Sequence, residues 1–272
     1  MTLKNKTIII TGSTRGIGRA MALRFAKDGA NIVVLGKSDQ PNDKLPGTIH
    51  TVAEEVIAAG GKALPVVCDI RDDKQITHVV EQAVEHFGGV DILVNNASAI
   101  AIRDTMRMTP KRFDLLMGVN VRGTFFMSRE CLPHLIEAEN PHILNIAPPL
   151  NMEARWFKDM VAYTYSKYGM SVCTLGMSAE FKQQGVAVNS LWPLTTIATA
   201  AIEIHFPKEI YERSRKPAIM ADAAYEVVNS NSRENSGNFY IDEDVLTTAG
   251  VQDFEQYAMK EGAELQQDYF IS

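Results

Sequence analysis

Cysteine is scarce in this chain of 272 residues, and the three present, Cys68, Cys131 and Cys173, are widely spaced and odd in number. No disulfide framework is implied by such spacing. The six histidines are scattered without paired ligand spacing, so no metal site is expected. Long apolar runs are missing as well. Ile8-Ile9-Ile10 is too short for a signal peptide. A long uncharged stretch, residues 185–202, is broken by Asn189, Ser190, Pro193 and threonines, and reads as strand, loop and helix start, not as a membrane span. Basic charge is not in excess: 27 Lys and Arg face 33 Asp and Glu, and no basic stripe of the kind nucleic-acid binding needs is present. The expectation is a metal-free cytoplasmic protein with neither nucleic acid nor membrane as partner.

The net charge of −6 is unevenly placed. Residues 242–272 carry eight acids against Lys260 alone, −7 in total, which leaves +1 on the rest. That end reads as an acidic C-terminal extension from about 243, a solvated surface segment. Hydrophobic content of 46% and charged content of 22% are ordinary for a globular protein. With no internal repeat or linker, residues 1–272 are expected to form a single domain.

The chain alternates strands and helices. Lys6 to Thr11 is a short β-branched run of the buried parallel kind. It leads into Gly12-Ser13-Thr14-Arg15-Gly16-Ile17-Gly18 and an amphipathic helix over about 19–28. A strand, a glycine turn and a helix start make an anion site, where backbone N–H groups and the helix dipole face a diphosphate. Further strands are predicted at Asn31–Leu35, Lys62–Cys68, Val90–Val94, His142–Ile146, Val186–Leu191 and Phe239–Ile241. Helices are predicted over about 48–60 and 72–87, and a long one starts at Thr109-Pro110 and carries Asn120. A loop spans 39–47, and residues 198–216 read as a helical flap. This pattern predicts a parallel α/β sheet.

At the end of the second strand, where an acidic residue would take the ribose 2′-hydroxyl of NAD, stands Gly36, followed by Lys37 and Ser38. Missing repulsion, with Arg15 and Lys37 nearby, favours a 2′-phosphate and hence NADP(H). Asp69 and Ile70 end the third strand where the adenine would lie. Later, Tyr163-Thr164-Tyr165-Ser166-Lys167 places a tyrosine and a lysine on one helical face. The ammonium would draw a phenol pKa of ~10 towards neutrality, suiting it to proton transfer at a carbonyl or alcohol. Alone, that pair is weak evidence.

Together, Thr11-Gly12-x-x-x-Gly16-x-Gly18, Asn95-Asn96-Ala97, Asn120 and Tyr163-x-x-x-Lys167 resemble the short-chain dehydrogenase/reductase family over residues 4 to about 242. Asn145-Ile146-Ala147-Pro148-Pro149, Lys167-Tyr168-Gly169-Met170 and Leu191-Trp192-Pro193 look like its hydroxysteroid dehydrogenase-like branch, without the sterol-carrier domain of longer members. The resemblance implies a doubly wound Rossmann fold with a seven-stranded parallel sheet in the order 3-2-1-4-5-6-7. It implies Tyr163 as general acid/base, and Lys167 as the group that binds the nicotinamide ribose and lowers the Tyr163 pKa. Asn120 would hold a water in the proton relay, and Asn95 and Ala97 would line the cofactor cleft. Thr199, with the backbone near Ile197, would sit against the nicotinamide carboxamide or the phosphates, and Pro193 would also bind the cofactor. It also implies a homodimer or homotetramer, packed through helices whose apolar residues include Gly169, Met170, Val172, Leu175, Gly176 and Met177.

Two positions depart from the family pattern. Pro193-Leu194 stands where Pro-Gly is usual, and Pro148 stands where a catalytic serine is usual. Losing one such donor costs about 10²–10³ in turnover. Asn151 is the nearest replacement donor, with Ser98 a second. The leading reading is therefore an NADP-dependent oxidoreductase acting on a small, apolar carbonyl or alcohol substrate. A protein that binds NADP(H) with little turnover is the alternative, and one that sequesters apolar ligands, through Met152, Trp156, Phe157, Trp192 and Phe206, is a third.

Overall fold

The computed structural model describes residues 2–41 and 47–271. Of the loop expected over 39–47, residues 42–46 lie outside the described residues. Seven parallel strands form one sheet: β1 (Thr7–Thr11), β2 (Asn31–Gly36), β3 (Lys62–Val67), β4 (Ile92–Asn95), β5 (His142–Asn145), β6 (Ala187–Trp192) and β7 (Phe239–Ile241). Their order, β3-β2-β1-β4-β5-β6-β7, reverses direction between β1 and β4, the position where α/β sheets open a crevice.

The pleat of β1 shows why both sheet faces are covered. Ile8 and Ile10 join Met21 and Phe25 of α1 (Gly16–Ala26) and Ile219 and Met220 of α9 (Ala218–Asn229) on one side. Ile9 points the other way, into a core with Ile76 and Val80 of α3 (Asp73–Phe87) and Met127 and Cys131 of α5 (Thr124–Leu135). Local signals start and stop the helices. Thr48 and Thr51 form a reciprocal capping box at α2 (Ile49–Ala58), while Asp72 caps α3 and Gly88, at φ 91°, ends it.

The long helix after Pro110 is interrupted. α4 (Pro110–Leu116) passes through a π-helical turn (Met117–Gly123) before α5 begins, and Asn120 sits in that turn. Wide turns of this kind re-aim a side chain without ending the helix. α6 (Val161–Glu180) carries the Tyr163–Lys167 pair. The expected flap resolves into two short helices, α7 (Ala200–His205) and α8 (Lys208–Glu212).

The acidic end is not the solvated extension expected from its charge. After α10 (Asp242–Thr248) the chain folds back across the carboxyl ends of the strands. Arg215 bridges Ala258, Thr195 bridges Gln267, and Asp268 donates its N–H to the Leu194 carbonyl at 3.0 Å. Phe270, 2% exposed, closes a third apolar cluster with Leu116, Met160, Tyr163, Tyr168 and Trp192. Most acids of this strap are exposed, but Asp268 and the rings of Tyr257 and Phe270 are turned inward.

Candidate active site

At the end of β1 the chain turns at Gly12 (φ 66°) and again at Gly16 (φ 55°) before α1 begins. Both angles lie in the left-handed region that glycine enters without strain. Gly18 is required for another reason: a Cβ there would come 2.5 Å from Asn96 Nδ2 and 2.6 Å from the Gly12 carbonyl oxygen. No side chain caps the first turn of α1, which starts on the wall of a cleft of about 670 Å³. Uncapped N–H groups and the positive end of the helix dipole make this wall an anion site, so the residues present fit a dinucleotide. Gly12, Thr14, Arg15, Gly16 and Ile17 line the cleft. Ser13 is fully buried instead, and its Oγ accepts from the Leu35 N–H at 2.9 Å, tying the turn to β2.

Gly36, Lys37, Ser38, Asp69, Ile70 and Ala97 line the same cleft. Arg15 donates from Nη2 to Ser38 Oγ at 2.7 Å. Lys37 pairs with Asp69 at 3.3 Å, and Arg71 grips the same carboxylate at 2.5 Å. The Arg71 guanidinium holds Asp69 well below the usual carboxylate range.

The two adjacent asparagines face opposite ways. Asn95 is buried and donates to Ser128 Oγ at 3.0 Å and Asn145 Oδ1 at 2.9 Å, inside the sheet. It does not line the cleft as expected. Asn96 does, bracing the glycine turn by donating to the Thr11 and Gly12 carbonyls. The Asn120 amide accepts from the Ala99 N–H at 2.7 Å and donates to Ser166 Oγ at 2.9 Å. It clamps the loop after β4 to α6.

The large cleft continues into a pocket of about 160 Å³ through shared walls at Ile17, Asn96, Ser98 and Thr199. Tyr163, Lys167, Trp192, Pro193, Ile197, Asp268 and Tyr269 also line it. Lys167 Nζ donates to the Ile146 carbonyl at 2.7 Å and lies 4.9 Å from the Trp192 ring centroid. Burial pulls the Lys167 pKa down to about 7, against the attraction of Asp268. Burial raises Tyr163 above its ordinary value, and the charges of Asp268 and Tyr269 add to the rise. This corrects the expected lowering by Lys167. In so apolar a cluster the uncharged form is favoured on both side chains.

Pro148 and Asn151 do not reach this pocket. The Pro148 carbonyl accepts from Ser171 Oγ at 2.7 Å. The Asn151 side chain is engaged in its own loop, donating to Glu153 Oε1 at 3.2 Å and accepting from the Glu153 N–H at 2.9 Å. Ser98 lines the pocket, its Oγ 3.4 Å from the Ala99 carbonyl. Sequence reasoning missed Asn96, Asp268 and Tyr269. The signal for the last two was an apolar end, Tyr269-Phe270-Ile271, closing an otherwise acidic stretch.

A family model described as short chain dehydrogenase matches residues 6–206. The chain is 53% identical to hydroxysteroid dehydrogenase-like protein 2 of Danio rerio and 52% identical to that of Homo sapiens, each over 97% of this chain. It spans 63% of the length of those relatives. A solved structure of a putative dehydrogenase from Xanthomonas campestris superposes with a TM-score of 0.97, at 48% identity and full coverage of both chains. More distant structures include a metagenomic short-chain oxidoreductase in complex with NADP (25% identity, TM-score 0.72, covering 89% of this chain and 98% of that one) and a Mycobacterium paratuberculosis short chain dehydrogenase bound to NAD (24%, 0.74, 89% and 97%). Those two neighbours carry different nicotinamide cofactors. Because the family match runs from the glycine turn through Lys167 and into the flap, and the relatives are half identical over nearly the whole chain, this chain belongs to the short-chain dehydrogenases, a family of oxidoreductases.

Proposed function

We propose that this chain, acting as one domain over residues 1–272, is an NADP-dependent oxidoreductase that works on a carbonyl/alcohol pair with Tyr163 as general acid/base. The observation that carries the reading is the position of Tyr163 and Lys167 on one wall of a small pocket continuous with the glycine-floored cleft. When bound, the nicotinamide gives or takes the hydride at its C4. The backbone of the glycine turn and the start of α1 would hold the diphosphate. Lys167, anchored on the Ile146 carbonyl, keeps further N–H donors for the ribose hydroxyls. Tyr163 retains its proton at neutral pH and is therefore set to protonate the substrate oxygen, which favours reduction of a carbonyl. Ile100, Ile102 and Phe206 on the pocket wall suit an apolar substrate.

NADP is preferred in this reading because Gly36 leaves no carboxylate at the end of β2 and Arg15 stands beside Ser38. A homodimer or homotetramer also belongs to it. Gly169, Met170 and Met177 pack inside the chain, but Val172 and Leu175 of α6 are 57% and 53% exposed and continue the apolar stripe of Val161 and Tyr165. Location in the cytoplasm is supported by three buried, unpaired thiols. The alternative, an NADP(H)-binding protein with weak or no turnover, is favoured by Pro148, which offers no hydroxyl at the serine position.

The test is NADPH oxidation against a panel of ketones and aldehydes. Tyr163→Phe should lower kcat by about 10²-fold or more while leaving NADPH affinity unchanged. A parent that binds NADPH but turns nothing over would select the alternative.

A further inference from the structure

Short of its serine, the pocket lacks a second donor beside Tyr163 on the strand-five side. The folded-back strap brings another group to the same space. Asp268 lines the pocket together with Tyr163, Lys167 and Trp192. We propose that Asp268 is a further catalytic residue, whose carboxyl group donates to the substrate oxygen the hydrogen bond that Pro148 cannot. This rests on the oxidoreductase reading above.

The placement is built, not incidental. Asp268 is held by its own N–H on the Leu194 carbonyl at 3.0 Å, and its neighbour Gln266 accepts from the Thr196 N–H at 2.9 Å. On the other side, Trp192 Nε1 donates to the Tyr269 carbonyl at 2.8 Å. Phe270 then anchors the segment, with its ring centroid 6.2 Å from that of Tyr163 and 5.5 Å from that of Tyr168. The carboxyl lies within reach of the charges of Lys167 and Tyr163, but no ion pair within 4.0 Å joins it to Lys167 and no hydrogen bond joins it to the phenol. All three groups line the same pocket, so a substrate oxygen held there by Tyr163 faces the Asp268 side as well.

Electrostatics keep the donor form available. Burial pushes the Asp268 carboxyl up to about 7, and the Asp242 carboxylate adds to the rise. The Tyr269 N–H, Lys167 and the Trp192 indole pull the other way. In its protonated form such a carboxyl donates a hydrogen bond to a developing oxyanion, as a serine hydroxyl would. In the reductive direction the carbonyl carbon gains the hydride, its oxygen gains the Tyr163 proton, and the cofactor is oxidised. The donor is present below the carboxyl pKa and lost above it, so the carboxyl contributes a fall in turnover on the alkaline side of neutrality.

The experiment compares Asp268→Ala, Asp268→Asn, Ser98→Ala and Tyr163→Phe for NADPH oxidation across pH 5–9, with NADPH affinity measured in parallel. Asp268→Ala is expected to lose about 10²-fold in kcat with NADPH affinity unchanged. Asp268→Asn keeps an N–H donor, so it should recover most of that loss and flatten the alkaline limb. Carboxyl carbon NMR of the cofactor-free protein should show a group titrating near neutrality that disappears in Asp268→Asn. Full activity in Asp268→Ala beside a dead Tyr163→Phe would overturn this assignment and leave the oxidoreductase reading standing. So would Ser98→Ala alone carrying the loss, Asp268→Asn as inactive as Asp268→Ala, or an Asp268 titration in the ordinary carboxylate range. A parent without turnover would overturn both.

Discussion

Removing the Phe270 ring should free the strap and leave the body folded. The ring is 2% exposed, and its centroid lies 5.5–6.2 Å from those of Tyr168, Trp192, Trp156 and Tyr163. Truncating such a side chain to alanine costs about 3–5 kcal/mol. The other attachments of residues 266–271 include hydrogen bonds from Thr196, to Arg213 and Leu194, and from Trp192, each adding about 1 kcal/mol net. Ordering those residues opposes docking by about 1–2 kcal/mol apiece. With the ring, the two sides nearly balance; without it, docking fails. At 1.4 kcal/mol per factor of ten, Phe270→Ala should shift the docked-to-free ratio by roughly 10²–10³. Hydrogen exchange should accelerate at 266–271 while Tm and NADPH affinity stay near the parent values, and Phe270→Leu should fall between. A strap still protected in Phe270→Ala, or a large drop in Tm with the strap still protected, would refute the reasoning.

Gly18→Ala should weaken NADPH binding by at least about tenfold without unfolding the chain, because the new methyl meets Asn96 and the Gly12 carbonyl under the anion site; unchanged affinity in a fluorescence titration would count against that site. Arg15→Ala should narrow the preference for NADPH over NADH by roughly tenfold, read from the two dissociation constants. Gly36→Asp is a poorer probe, since a Cβ there falls 2.7 Å from Thr14 Cγ2 and mixes a clash with the added charge. Asp242→Asn should stabilise the protein at pH 7 and not at pH 4. Burial raises the Asp242 carboxyl to about 6, above its unfolded value of about 3.9, so ionising it costs stability that grows between those two pH values. Asparagine still accepts from the Leu194 and Glu243 N–H groups that Asp242 Oδ1 holds at 2.9 and 2.8 Å; identical pH dependence of Tm in parent and variant would refute the point.

The sheet was legible because a buried parallel strand is commonly a short β-branched run, and the chain shows one at Thr7–Thr11 and at Asn31–Gly36. The glycine turn was legible for a similar reason, since positive φ and close approach admit few residues besides glycine. What failed were statements about direction and depth. Asn95 and Asn96 are chemically identical in the sequence, and only the pleat at the end of β4 turns one into the sheet and the other to the cleft. Tyr163 and Lys167 were found by spacing, but spacing does not report how much apolar surface surrounds a pair, and burial reverses the sign of the expected Tyr163 shift. The strap was misread by composition, because net charge counts every acid equally. In the fold the outer acids face solvent, while Asp268 is carried inward by Phe270, and one buried ring decides where the carboxyl next to it must lie. That dependence ties a contact with no chemistry of its own to the proposed chemistry of the pocket, since whatever loosens Phe270 withdraws Asp268 from Tyr163 as well.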